Sequence, residues 1–256
     1  MSRDHVLVKR DGDFVTITMN RPERRNALSL DHMRELTAAF EEVGASDARG
    51  VTLAANGPVF CAGHDFADVA SADLARAREL LDTCVRLMRT VQSVPQVVIA
   101  RVHALATAAG CQLVADCDLA VAADTAGFAA PGGAGGWFCH TPMVAIARNV
   151  GRKRAMEMAL TGDVVDAATA AEWGLVNRVV PAEELEGAAR SLLERATRGS
   201  ARSKALGKRA LYAQFGRPEP DAYQYAVEVM AAASQTPEAR EGIAAFLEKR
   251  QAHWPA

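Results

Sequence analysis

The 256-residue chain lacks paired cysteines at C-x-x-C spacing, an excess of either charge, and any long uninterrupted hydrophobic run. Its cysteines are Cys61, Cys84, Cys111, Cys117 and Cys139. An odd, scattered set argues against a disulfide scaffold and against a zinc ribbon. Lys and Arg total 29 against 31 Asp and Glu, a formal charge of −2 with no basic or acidic tail. Nucleic acid and anionic membranes are therefore not expected as main partners. The most apolar stretch, 97–130, is interrupted by Arg101, His103, Gln112 and three Asp, so it does not read as a bilayer span. The first residues carry charges throughout and show no secretory h-region. A cytoplasmic protein is the expectation. Walker A, H-E-x-x-H and G-x-S-x-G signatures are missing too, and no metal and no permanently bound cofactor is expected.

What is present is a chain that is 50% hydrophobic, enough for a sizeable core and against disorder as the main state. Aromatic rings are few: eight Phe, three Tyr and three Trp. Small apolar side chains must therefore supply most of the packing. The runs HVLVKR and FVTITM flank Asp11-Gly12 and read as a hairpin. Ser29 reads as the cap of a helix from Leu30 to about Val43, with Met33, Leu36, Phe40 and Val43 at helical spacing. Strands are expected at 50–55, 96–102 and 118–123, with helices near 71–93 and 108–116. This alternation predicts an α/β fold with parallel pairing and right-handed crossovers. After Pro181 the pattern turns helical, with breaks near Gly199, at Gly216-Arg217-Pro218 and at Thr236-Pro237. The reading is an α/β core over 1–195 and a helical region over 196–256.

Two runs of tiny residues, Cys61-Ala62-Gly63-His64 and Ala104 to Gly110, follow the strands at 50–55 and 96–102. In an open parallel sheet the strand ends are where ligands bind. Small side chains let a ligand approach the main chain, and two such loops can aim two N–H donors at one oxygen. Equally, they read as tight strand–helix connections with Ala for packing. Residues 131–136, Pro-Gly-Gly-Ala-Gly-Gly, do not fit nucleotide-loop spacing and read as a close-packed or flexible backbone loop.

The segments NRPERRNAL (20–28), FCAGHD (60–65), AAGCQL (108–113), CDLAVA (117–122), Gly162-Asp163 with 167–179, and FLEKR (246–250) occur in that order. Together they resemble the crotonase (enoyl-CoA hydratase/isomerase) superfamily over nearly the whole chain. Within it, HALATAAGCQ (103–112) and Phe138-Cys139 ahead of Thr141-Pro142 are most similar to the enoyl-CoA hydratase domain-containing protein 3 subgroup. The resemblance implies a spiral of β-β-α turns with C-terminal helices that form a homotrimer, or a homohexamer of paired trimers. It implies an acyl-CoA thioester as ligand, with coenzyme A as part of the substrate. The backbone N–H groups of His64 and Ala109 would then form the oxyanion hole. Arg25, Ala27, Ala62, Asp65, Phe66 and Gly110 would line the CoA site, and Phe246 and Lys249 would reach the nucleotide end from a neighbouring subunit.

The chain departs from that family where its hydratases carry two glutamates. Here those positions are Gln112 and Gly132. Gln112 can bind a water but cannot take its proton near neutral pH, and Gly132 has no side chain. His140 and Cys139 are candidate replacements, His140 the better because imidazole titrates in the useful range. The alternative is a His140 without a role, at a helix start and half-exposed. Gln112→Glu with Gly132→Glu is expected to recover some hydration, provided the loop accepts a side chain. Two functions stay open: an enzyme on enoyl- or acyl-CoA with a non-standard acid–base set, and a non-catalytic acyl-CoA-binding or carrier protein.

Overall fold

A computed structural model describes residues 5–70 and 72–254. The strands β1 (Val6–Asp11) and β2 (Phe14–Met19) form the expected antiparallel hairpin, with Asp11 paired to Phe14. Its turn needs Gly12, whose φ of +58° is costly for a residue with a Cβ. Alternate burial along β2 puts Val15, Ile17 and Met19 inside. Ser29 caps α1 (Leu30–Gly44) through the His32 N–H, and α1 buries Met33, Leu36, Phe40 and Val43.

Next come β3 (Gly50–Ala55), α2 (Phe66–Val69), α3 (Leu74–Ser93), β4 (Val97–Val102), β5 (Ala106–Thr107), α4 (Ala109–Asp116) and β6 (Leu119–Ala123). The helix expected from about 71 starts later, capped by Asp73; Ser71 itself lies outside the described residues. Then β7 (Gly127–Ala129), α5 (His140–Val150), α6 (Arg152–Thr161), β8 (Val165–Asp166), α7 (Ala167–Trp173) and β9 (Arg178–Val180) complete the core with α8 (Leu185–Ala196).

The larger sheet runs β1-β2-β3-β4-β6-β9, parallel at every pairing after the hairpin. Such a sheet must be covered on both faces. On one face α8 does this, packing Leu185, Ala189 and Leu193 against Ile99, Val121 and Ala123. On the other face lies the main core, which includes Ile17, Leu53, Val98 and Ala100. A second, three-stranded sheet, β5-β7-β8, stands off from the first. Its strands of two and three residues are too short to show a period of two in sequence.

The helices α9 (Ala201–Gln214), α10 (Glu219–Ala233) and α11 (Pro237–Leu247) follow. The α9 helix is tied to the core through Lys208, which sits 2.7 Å from Asp118 and donates to the carbonyls of Val91 and Gln96. Tyr212 donates to the other Asp118 oxygen at 2.9 Å. Among the described residues no helix is long and apolar enough to cross a membrane.

Candidate active site

The two runs of tiny residues meet. Phe60 N–H donates to Leu105 O and Thr107 N–H to Cys61 O at 2.9 Å, so the segment from Cys61 lies along β5. Gly110 makes the approach possible: a Cβ there would lie 2.3 Å from the Cys61 carbonyl oxygen. Gly63, with φ +85°, abuts the same place; a Cβ on it would be 3.0 Å from Ala108 Cβ and 3.3 Å from Ala109 N. Ala108 itself holds φ 52° and ψ −119°, a conformation that favours glycine. It is pinned from both sides, its N–H donating to Ala129 O and its carbonyl accepting from Gln112 N.

This backbone leaves two amides without acceptors. Leu28 takes the Gly63 carbonyl at 2.7 Å and the Asp65 N–H at 3.1 Å as a parallel bridge. The His64 N–H between them therefore points the opposite way. Ala109 opens α4, where helical N–H groups have no internal partner. Among the described residues neither His64 N–H nor Ala109 N–H has a protein acceptor.

A cavity of about 560 Å³ borders these segments. Phe66, Leu81, Trp137, Phe138 and Pro142 give it an apolar wall, and among the described residues no Asp, Glu, Lys or Arg lines it. Its polar lining includes His64, Thr107, Cys139 and His140. Both ring nitrogens of His64 are buried without a partner, and the ring lies 5.9 Å from that of Trp137. Burial pushes the imidazole down to about 4 against a smaller opposing effect of the Leu28 backbone, so it is neutral at physiological pH. Burial raises the Cys139 thiol, which opposes a thiolate there. His140 begins α5 and is exposed, as expected of a residue at a helix start, its ring 5.0 Å from Phe138. Two cavities of about 680 and 660 Å³ are larger, but they lie against α9 and neither is lined by His64; Ala109 is buried directly behind Thr107 and Ala108, which do line the cavity of about 560 Å³. Among the described residues no three His, Cys, Asp or Glu side chains converge as for a metal.

Of the residues singled out in sequence, Ala62, His64, Phe66, Gly132, Cys139 and His140 line this cavity. Others build its frame. Asp65 caps α2 and meets Arg24 at 3.0 Å and Arg21 at 3.4 Å. Burial acts to raise its carboxyl, but the Ala67 N–H and both arginines prevail and hold it below the ordinary range. Arg25, at φ 52°, lends its carbonyl to Ala62 N–H, and the Ala27 carbonyl accepts from Arg21. Gln112 is buried one turn along α4 with its Oε1 unpartnered. Phe246, 82% exposed near the end of α11, and Lys249, in the turn just after it, are not part of the cavity lining.

The expected rescue by Gly132→Glu does not fit. A Cβ on Gly132 would lie 2.2 Å from the Trp137 carbonyl oxygen and 2.7 Å from Cys139 Sγ. The loop closes on its own backbone there, with Trp137 N–H donating to Gly132 O. Sequence reasoning also passed over Thr107, Trp137 and Asn26. Asn26, fully buried at φ 52°, donates to Asn56 O and Val59 O and accepts from Arg21 N–H. An Asn amid charged residues, tolerant of left-handed backbone, was the available signal for it. Nothing in the sequence pattern marked the other two.

Residues 10–256 match the enoyl-CoA hydratase/isomerase family model. The chain belongs to this family. It is 40% identical over 240 residues to enoyl-CoA hydratase domain-containing protein 3, mitochondrial, of Rattus norvegicus, covering 93% of this chain and 80% of that one. Among solved structures it resembles an enoyl-CoA hydratase of Mycobacterium smegmatis, with TM-score 0.94, 43% identity, and coverage of 98% and 99%. It also resembles human enoyl-CoA hydratase domain-containing protein 3, with TM-score 0.93, 36% identity, and coverage of 98% and 100%. The expected crotonase fold is thereby shown, and the second sheet that sequence patterning did not reveal is part of it.

Proposed function

We propose that the chain binds acyl-CoA thioesters and polarises the thioester carbonyl between the His64 and Ala109 N–H groups. The observation that carries this is two unpaired amides beside an apolar cavity, on segments locked together by Gly63 and Gly110. Fixed donors aimed at one oxygen stabilise the charge that develops there when the carbon next to the carbonyl loses or gains a proton. The main chain thus supplies activation. A proton carrier is what the site is short of.

At the family's glutamate positions stand Gln112 and a Gly132 that has no room for a side chain. His64 is neutral and Cys139 is held as a thiol, which leaves His140, an exposed residue of the cavity lining, as the group to exchange protons. The absence of any carboxylate from the lining among the described residues also favours a second reading, an acyl-CoA-binding or carrier protein without turnover. Under either reading hydration of crotonyl-CoA is slow. General acid–base groups contribute about 10²–10⁴-fold each and do not act independently on one water. A rate about 10³–10⁶-fold below that of a two-glutamate hydratase is expected; a kcat within tenfold of one contradicts the proposal. Loss of the residual rate in His140→Ala separates the enzyme from the carrier.

The assembly we propose is a trimer, alone or paired into a hexamer. Tyr223, Val227, Met230, Phe246 and Leu247 leave large apolar surface on α10 and α11 that a second copy would cover. Phe246 and Lys249 would then complete a neighbour's CoA site. Five buried free thiols fit a reducing compartment; the rat relative's name places that protein in the mitochondrion, and imaging a tagged chain decides between that setting and the cytoplasm for this one.

A further inference from the structure

The cavity holds polar atoms that a simple alkenoyl chain would leave unsatisfied. His64 Nδ1, His64 Nε2 and Thr107 Oγ1 are buried, make no hydrogen bond of ordinary geometry although the Leu28 backbone acts weakly on the imidazole, and belong to residues that line the cavity. A buried donor or acceptor left unpaired costs about 1–3 kcal/mol, so such a cluster beside an otherwise apolar chamber has a complement. The remaining lining says what kind. With no Lys, Arg, Asp or Glu there among the described residues, a charged acyl group would be stranded without a counter-ion. A neutral imidazole offers one donor and one acceptor, and a threonine hydroxyl offers both, which matches an uncharged oxygen.

We propose that the His64 imidazole and the Thr107 hydroxyl form a polar subsite that reads a hydroxyl or keto oxygen on the acyl chain. This rests on the thioester reading above and names the substrate class within it. The amides of His64 and Ala109 take the thioester oxygen, while the two side chains take the second one. The Trp137 indole shields the imidazole and is 38% exposed. It sits in a loop with glycines at 132, 133, 135 and 136, and Gly136 meets nothing within 4 Å.

The test is calorimetric titration of the full chain with butyryl-CoA, 3-hydroxybutyryl-CoA, acetoacetyl-CoA and succinyl-CoA. Either oxygenated ester should bind about tenfold more tightly than butyryl-CoA, and succinyl-CoA more weakly than all three. The ratio of oxygenated to plain ester should fall toward one in Thr107→Val and in His64→Phe, and return in Thr107→Ser. The serine variant separates loss of the hydroxyl from damage to the fold. Equal affinity for oxygenated and plain esters in the unmodified chain, or a preference that survives both substitutions, overturns the subsite. Failure of every acyl-CoA to outbind free CoA overturns instead the thioester reading beneath it.

Discussion

The two walls of the cavity are built on opposite terms. The wall made by residues 61–65 and 106–112 has no spare space: Gly110 sits against the Cys61 carbonyl, Gly63 against Ala108, and Ala108 is tied at both its N–H and its carbonyl. The glycine loop across from it is tight only at its start. Gly135 has one neighbour, Gly132 O at 3.7 Å from where a Cβ would be, and Gly136 has none within 4 Å. Carbonyl recognition is thus assigned to main chain whose geometry is over-determined, whereas the outer loop contributes side chains. Along the main chain of the first wall the size of a residue decides, while its chemistry rests on the side chains of His64 and Thr107. On the second wall chemistry can change without the fold being disturbed.

Paired substitutions probe that difference most strongly. Gly110→Ala places a methyl against a backbone oxygen and should cost about 3 kcal/mol or more of stability, with loss of acyl-CoA binding. Gly135→Ala, a similar change on the outer loop, should stay within about 0.5 kcal/mol. Urea denaturation of both variants checks this, and comparable losses at the two sites would erase the contrast between the walls.

The inner wall's helix ends in a titratable liability. Asp116, accepting from Gln92 Nε2 at 2.6 Å, is pushed up to about 7 by burial, against smaller opposing effects from Gln112 and Arg148. Its folded value exceeds its unfolded one, so between about pH 4 and pH 7 the native state keeps a proton the unfolded chain has lost. Stability present at low pH is therefore lost as pH rises through 7. Asp116→Asn keeps an acceptor for Gln92 and should flatten that slope, gaining about 1–2 kcal/mol at pH 8 and little at pH 4. Denaturation midpoints across pH measure it.

A smaller effect is expected at Ala108. Holding alanine at φ 52°, ψ −119° costs on the order of 1–3 kcal/mol, while glycine adds unfolded-state entropy worth about 0.4–1 kcal/mol. Ala108→Gly should gain about 1 kcal/mol net and raise the melting temperature. A loss of stability would mean the methyl's packing outweighs the strain.

How much of this was legible beforehand follows from the length of each signal. The hairpin, the Ser29 cap, β3 and β4 are long enough for turn residues and periodicity to declare them. The second sheet is not: β5, β7 and β8 are defined by partners distant in sequence, such as Ala106 with Phe128. At the site, runs of small residues marked where the main chain would be exposed. They did not reveal that Gly110 serves close packing or that Asp65 is occupied by Arg21 and Arg24. Thr107 and Trp137 gain meaning only from the cavity they share with His64. Gly132 shows the reverse case, where sequence position suggested a replaceable side chain and the Trp137 carbonyl excludes one.

The central claim concerns one oxygen atom. Butyryl-CoA and S-butyl-CoA differ in the thioester carbonyl, which the thioether lacks. If His64 and Ala109 N–H groups bind that oxygen, two hydrogen bonds of about 1 kcal/mol each should make the thioester bind at least about tenfold more tightly in calorimetric titration. Equal affinity for the two ligands would contradict the account.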